Sequence, residues 1–414
     1  MSEFVTFGDH ITVLKGKAPL ETGFVGPGAE PYLNPEYLRG RADVDLVKAG
    51  PDAVRTVEGD TILLWDGSNA GEFFRARPGL LASTMAKISP SKAFLPGYFS
   101  HVAKHAESYL KSQTNGTGIP HVDRELLEAV RVFCPSSSQQ QLITAILDTL
   151  NTAIHETEAI IAKLKAVKQG LLHDLLTRGI DANGELRPPQ TEAPHLYKQS
   201  PLGLVPKAWE VKAVSEVADI RSGATPSREQ ANRYFAARGI PWVKTLDLNE
   251  DFIIDTHECI TTTALRETSC SLSPEGTVLV AMYGGWEQIG RTALLAVPAA
   301  TNQAISALLF RSSSVVPEFI LRALQHGRPR WHRVAASTRK DPNITKADVL
   351  AFEIPLPAPD EQAEIVRRLR TCGDRLESEG SMLAKLRHQK AGLMDDLLTG
   401  RVRVTPLLQE AQHA

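Results

Sequence analysis

Cysteine is scarce. The 414 residues hold four, Cys134, Cys259, Cys270 and Cys372, and no two of them form a Cys-x-x-Cys pair. That spacing argues against a zinc site and supplies no disulfide framework, as expected of a reducing compartment. Long apolar runs are missing as well. No stretch reaches the roughly 18 residues that a membrane-spanning helix needs, and the opening "MSEFVTFGDH" lacks the pattern of a signal peptide. The chain is therefore expected in the cytoplasm, with no membrane partner. An excess of either charge is absent too. With 46 basic against 48 acidic side chains the net charge is −2, so bulk electrostatics point to no particular partner.

Catalytic motifs are equally hard to find. Nothing matches H-E-x-x-H, a P-loop or a G-x-S-x-G elbow. "HETE" at His155 has no second histidine four residues on, and "GKAP" at Gly16 lacks the spacing that cradles phosphate. "NPEY" at Asn34 differs at one position from the Asn/Asp-Pro-Pro-aromatic motif of N6-adenine methyltransferases, and no Gly-rich strand-turn precedes it. It reads as a turn. No carboxylate pair stands out, and no cofactor of the chain's own is expected.

What is present begins with size. A chain this long exceeds one ordinary core, so two or more domains are expected. A content of 42% hydrophobic and 23% charged residues is that of a soluble globular protein. The domains are copies of each other. Shifted by 222 residues, "GLLHDLLTRG" (from Gly170) falls on "GLMDDLLTGR" (from Gly392) without a gap. Under the same shift Gln140 meets Gln362, Ile143 meets Ile365 and Leu147 meets Leu369. Upstream, with small insertions, "FGDHITVLKGKAP" (from Phe7) aligns with "VSEVADIRSGATP" (from Val214), pairing Gly16 with Gly223. "EGDTILL" resembles "EGTVLVA", and "LPGYF" resembles "VPEFI". Each copy is a mixed globular region followed by a long helix. "DANGELRPPQTEAP" (from Asp181), rich in proline and glycine, reads as the linker between copies.

The helices are legible from period alone. Leu147, Leu150, Ile154, Thr157, Ile161, Leu164, Lys168, Leu171 and Leu175 step by alternating three and four. Leu369, Cys372, Leu376, Glu379, Leu383, Leu386, Lys390, Leu393 and Leu397 repeat those steps. This is an a/d seam. Ser136 to Ser138 and Asp360 supply helix-start residues after Pro135 and Pro359. About 40 residues at ~1.5 Å each make each helix about 60 Å long. Such a helix must bury its stripe, and the other copy is the natural partner. A pseudo-two-fold axis between copies would set the two helices antiparallel. Lys168 and Lys390 interrupt the seam either by snorkelling outward or as a pin against slipped registers.

The globular halves alternate in short runs. "GDTILLWDG" and "GTVLVAMYGG" read as strands ending in Gly-rich turns, and "PGYFSHVAKHAESYLKS" and "PEFILRALQHG" as helices starting near proline. After the second helix comes a basic segment, "HGRPRWHRVAASTRKDPNITK", with Arg328, Arg330, Arg333, Arg339, Lys340 and Lys346 against Asp341. Its counterpart in copy one carries Lys111, Gln113, Asn115 and Thr117. Basic side chains attract phosphate, while Asn, Gln and Arg can pair with base edges. A solvated charged loop would look the same.

Taken together, "GLVPKAWEVKAVSEVADIRSGATPS" (from Gly203), a strand into a Gly-rich turn, a proline-started helix, and "DEQAEIVRRL" (from Asp360) leading to "LLTG" resemble the specificity subunit of type I restriction-modification enzymes. The likeness covers nearly the whole chain, twice. Copy one departs from it at the start, without the Pro-x-x-Trp lead-in that copy two has at Pro206 and Trp209. The resemblance implies an α+β chain of two tandem α/β target recognition domains, joined by two long helices in an antiparallel coiled coil. The expected divisions are recognition domain one over 1–134, spacer helix one over 135–180, linker over 181–205, recognition domain two over 206–356, spacer helix two over 357–400, and a tail over 401–414.

It also implies a non-catalytic reader of double-stranded DNA. Each domain would take half of a split, asymmetric site. Two methyltransferase subunits would dock on the scaffold and motor-nuclease subunits would join them. S-adenosylmethionine, ATP and Mg would belong to those partners. The reading heads would then lie roughly one helical turn of DNA apart, ~34 Å. The expected DNA contacts are Lys17, Ser68, Asn69, Arg75, Arg77, Lys111, Gln113 and Asn115 in copy one. In copy two they are Arg221, Tyr283, Arg291, Arg328, Arg330, Arg333, Arg339 and Lys340. Two alternatives stand beside this role: a protein-only coiled-coil adaptor, and a methyltransferase or nuclease carrying its own recognition domains.

Overall fold

The computed structural model of the protein describes residues 3–113, 120–335, 342–407 and 409. Two long helices, Ser137–Thr177 and Pro359–Leu398, serve as stalks. The chain divides into two compact units, residues 1–160 with 379–414, and residues 161–378. This division cuts across both stalks, whereas the sequence suggested separate heads and helices. The cause is burial. Each globular head shares its core with the start of its own stalk helix and the end of the other copy's, so a head and two half-stalks form one body.

In the first unit a four-stranded antiparallel sheet runs in the order Ile11–Lys15, Met85–Pro90, Thr61–Leu64, Phe73–Arg75. In the second, Ala218–Ser222, Ile305–Phe310, Val278–Ala281 and Thr292–Leu295 repeat that order, and Phe252–Ile253 adds a fifth, parallel strand. Thr61–Leu64 and Val278–Ala281 are buried at every position, as an apolar run must be when both faces of its sheet are covered. Side chains alternate between the faces. Leu63 joins the core under the head helix Pro96–Gln113, while Ile62 and Leu64 join the cluster of a second, five-stranded sheet. Val278 and Val280 likewise face the head helix Pro317–Gly327, and Leu279 and Ala281 face away.

Each head is closed by pairing its first strand with its last, Phe4–Thr6 with Arg131–Phe133 and Glu210–Ala213 with Glu353–Leu356. The first head achieves this closure without the lead-in that only copy two carries.

The repeated helix ending has a structural reason. Leu397 and Leu398 are buried in the core of the first unit beside Ile143 and Leu147. Leu175 and Leu176 are buried in the second beside Ile365 and Leu369. In both units the start of one stalk meets the end of the other, so the stalks run antiparallel. Each buried leucine contributes roughly 1.5–3 kcal/mol. The repeated glutamine is equally committed. Gln140 donates to Ala93 O (2.8 Å) and Pro135 O (2.9 Å) and accepts from Leu95 N (2.8 Å). Gln362 donates to Pro357 O (2.8 Å) and Ser314 O (3.2 Å) and accepts from Val316 N (2.9 Å). Each ties the approach to its head helix onto the stalk. Further along, Ile154 and Thr157 are buried, and Ile161, Leu164, Lys168, Leu376, Leu383, Leu386 and Lys390 are half-buried. Glu158 and Arg387 pair between stalks at 2.8 Å or less, with Arg387 Nη2 at 2.7 Å from Glu158 Oε1.

The structure adds detail to two segments. The turn at Asn34-Pro-Glu-Tyr is helical, Pro35–Leu38, because the Asn34 side chain accepts from Tyr37 N at 2.8 Å and caps it. The expected linker is packed at its start. Ile180 bridges Leu186, and Arg187 reaches Glu361 in the first turn of the second stalk. Proline and glycine there shape a packed hairpin.

One histidine on each head helix faces the chain's own polar groups, His101 buried and His326 exposed at its edge. His101 Nε2 lies 2.8 Å from Asp148 Oδ1, and His326 Nε2 lies 3.4 Å from His173 Nδ1. Desolvation pushes both below the usual histidine range, more strongly than the Asp148 carboxylate raises His101; the neighbouring His173 adds to the fall at His326. A folded pKa below the unfolded value means that the unfolded chain takes up protons first. Stability is thus complete above the ordinary histidine value of about 6.5 and falls as pH drops through it. Melting temperature should decline from pH 7.5 to pH 5, and a His101→Gln/His326→Gln double variant should flatten that decline. An equal slope in parent and variant would assign the pH dependence to other groups.

Candidate nucleic-acid interface

Both heads build the same arrangement at one end. The turn after the second core strand lies against the end of the head helix. In the first head Gly67 (φ +119°) and Gly71 (φ +94°) frame Ser68 and Asn69, both exposed. These conformations suit glycine alone. A Cβ on Gly71 would stand 3.2 Å from Lys111 N, so the turn touches the end of the helix. Gly67 N donates to Pro120 O at 2.9 Å. The end of the first core strand joins this corner through Lys15, which pairs with Asp66 at 2.8 Å. Lys17 is exposed two residues on. Ser68, Asn69 and Lys111 therefore come together. Lys111 Nζ is held by Glu107 Oε1 at 2.7 Å, and Gln113 Nε2 donates to Ser112 Oγ at 3.2 Å.

Arg75 and Arg77 point to other neighbours. Arg75 lies 3.5 Å from Asp148 on the first stalk, and Arg77 sits over the Tyr37 ring with its Nη1 at 3.4 Å from the Tyr37 hydroxyl. Asn115 lies outside the described residues.

In the second head the equivalent turn holds Gly284 (φ +114°) and Gly285 (φ +82°), flanked by Tyr283 and Trp286, 45% and 40% exposed. Trp286 stacks on His332, with centroids 4.3 Å apart and planes 14° from parallel. His332 belongs to the 3-10 segment Arg328–Arg333 that follows the head helix. Trp286, Arg328, Pro329, Trp331, His332 and Glu250 line a cavity of about 390 Å³ there. Arg333 is exposed on the same segment. Arg291 Nη1 donates to Gln288 Oε1 at 3.2 Å within the turn.

Two of the expected contacts, Arg328 and Arg330, are engaged within the chain. Arg328 donates to Glu250 Oε1 (2.5 Å), Glu287 O (2.5 Å) and Ile289 O (3.1 Å), so all three guanidinium nitrogens brace the turn from behind. Arg330 is half-buried over the Phe352 ring at 4.1 Å and donates to Glu353 O at 2.8 Å. Burial pushes its pKa down from the ordinary arginine value. Both arginines hold the chain's own backbone. Arg221 is tied to Leu272 O at 2.6 Å, away from the turn. Arg339 and Lys340 lie outside the described residues. The sequence reading missed Trp286 and His332; an aromatic directly after a Gly-Gly pair was the available signal.

Among the described residues no group of three or more His, Cys, Asp or Glu is placed to hold a metal ion. No helix among them is long and apolar enough to cross a membrane.

Comparison with known proteins gives a consistent result. The family model described as type I restriction modification DNA specificity domain matches twice, over residues 2–166 and 206–388. The type I restriction enzyme MjaVIII specificity subunit of Methanocaldococcus jannaschii is 30% identical, over 98% of this chain and 94% of its own. Among solved structures, the type I restriction-modification S subunit from M. genitalium superposes with a TM-score of 0.60 at 13% identity, over 95% of each chain. A chain solved in work on complex assembly and conformational transition of the type I R-M system gives a TM-score of 0.56 at 16% identity, over 95% of this chain and 96% of its own. At these identities the structural likeness is one of fold.

Proposed function

The chain belongs to the type I restriction-modification DNA specificity family, and from that premise we propose that it reads a split, asymmetric DNA site with one half assigned to each head. The observation that carries this reading is the repeated corner. Both heads set a glycine-framed turn against the end of a helix, and the side chains offered there differ. Ser68, Asn69 and Lys111 offer hydrogen bonds and charge, whereas Tyr283, Trp286, His332 and Arg333 offer flat apolar faces with a cation. A shared frame with unlike contact chemistry suits two different half-site sequences. The antiparallel stalks act as the spacer and as the docking platform for two methylating subunits, which motor-nuclease subunits then join. Chemistry is left to those partners, with S-adenosylmethionine, ATP and Mg, and the whole works in the cytoplasm.

The test is selection of duplexes from a randomised pool by the full chain with its methylating partner. A bipartite, non-palindromic motif is expected. Enrichment of one continuous motif, or of none, would favour the adaptor alternative, and methyl transfer by the chain alone would favour the enzyme alternative. Two variants sort contact types. Arg333→Ala should lower the slope of log affinity against log salt by about one and leave sequence preference alone. Asn69→Ala should leave the slope and relax one base position, by about 1–3 kcal/mol.

A further inference from the structure

The two heads meet their stalks through ion pairs of opposite sense. Under the 222-residue shift, Asp148 of the first stalk corresponds to Arg370 of the second, and the head helices align at Pro96 and Pro317. In the first unit the stalk supplies the acid and the head the bases. His101 Nε2 lies 2.8 Å from Asp148 Oδ1, and Arg75 Nη1 lies 3.5 Å from the same oxygen. In the second unit the stalk supplies the base and the head the acid. Arg370 Nε donates to Glu318 Oε2 at 2.5 Å, and Arg322 reaches Glu318 Oε1 at 3.3 Å. Glu318 is 2% exposed, so those cations offset the cost of burying it. The matching residue in the first head is Gly97, where a Cβ would lie 2.9 Å from Thr144 Cγ2. That helix comes too close to its stalk to hold a carboxylate.

Three buried pairs at the heart of the junction cannot tell the copies apart. Gln140 and Gln362, Ile143 and Ile365, and Leu147 and Leu369 are identical pairs, and all six are buried. Tandem repeats with like interfaces are prone to pair wrongly during folding, and discrimination then needs an element that repels the wrong partner. A second head on the first stalk would bury Glu318 against Asp148. A first head on the second stalk would set Arg75 against Arg370. We infer that residues 148 and 370, with Arg75 and Glu318 opposite them, key each head to its own stalk by reversed charge, so that the heads are not interchangeable. Resting on the DNA-reading role proposed above, this key fixes the order in which the half-sites are read.

The test transposes residues 1–134 and 206–356 in the full chain, with and without Asp148→Arg and Arg370→Asp. The plain exchange should melt about 10 °C below the charge-corrected exchange. Equal melting of the two overturns the key. Should neither exchanged chain fold, the parental frame decides. There Arg370→Asp must melt below Arg370→Ala, and Asp148→Arg below Asp148→Ala; parity at either position overturns the key. Loss of sequence-selective DNA binding by the parent itself would strike the DNA-reading role and leave the melting comparison untouched.

Discussion

Glu361→Ala is expected to destabilise the second unit by about 3–5 kcal/mol, the range for stranding a buried partner of an ion pair, and to lower its melting temperature by about 10 °C. One carboxylate serves four donors. Oε1 accepts from Arg187 Nη1 (2.5 Å), Ile180 N (2.8 Å) and Trp209 Nε1 (3.0 Å), and Oε2 accepts from Arg187 Nη2 (3.0 Å). Trp209 and Ile180 are buried, so their N–H groups have no water to turn to. The chain reaches this carboxylate through Gly179 (φ +63°), where a Cβ would fall 2.3 Å from Glu361 Oε1. Glu361→Gln keeps the acceptor and loses the charge, and should fall between parent and alanine.

Copy one provides the control. Gln139, its counterpart, is half-buried and bonds to the exposed Ser136 and Thr405, so Gln139→Ala should change stability by no more than about 0.5 kcal/mol. Calorimetric melts of the three variants check this. A Glu361→Ala melt within 2 °C of the parent, roughly the effect of a surface change, would show that the second stalk holds its hairpin by other means.

That network also marks where sequence reasoning stops. The stalk seam and the doubled Leu-Leu-Thr ending were legible because helical period and tandem identity are local patterns, and both respond to one cause, burial of an apolar stripe. The strands Thr61–Leu64 and Val278–Ala281 were legible for the same reason. The Arg187–Glu361 contact joins residues 174 apart, and nothing near Asp181 signals it. A Pro/Gly-rich stretch is therefore read as a linker, with no sign that its start is clasped to the second stalk. The basic segment shows the converse. Its composition attracted DNA contacts to Arg328 and Arg330, yet composition carries no information on which carbonyls lie within reach. Glu250, Glu287, Ile289 and Glu353 supply the acceptors that decide the matter. Trp286 and His332 went unnoticed because a single stacked pair has no period.

Gly223→Ala and Gly16→Ala should each disable one head and spare the other. The two glycines correspond in the repeat, and each stands where the chain leaves the sheet under the head helix and passes the second sheet of its head. A Cβ on Gly223 would lie 2.1 Å from Thr301 O and 2.3 Å from Asn302 O; on Gly16 it would lie 2.1 Å from Ala82 O and 2.6 Å from Leu81 O. These obstacles are backbone, so no side chain can swing aside. The adjacent ladder must open, although Ala224 N to Thr301 O (2.9 Å) and Gly16 N to Met85 O (2.8 Å) hold it closed. Overpacking of this kind costs about 1–3 kcal/mol, and with the hydrogen bonds strained the upper end applies. Neither residue has a left-handed backbone, so the penalty is steric and Gly→Ala measures it directly. The strands displaced lead to the reading corner of their own head. Gly223→Ala should therefore lose selectivity in one half-site and Gly16→Ala in the other, each with the second half-site intact in duplex selection. If either variant relaxed both half-sites together, the heads would not be independent readers, and the division of the site between them would fail.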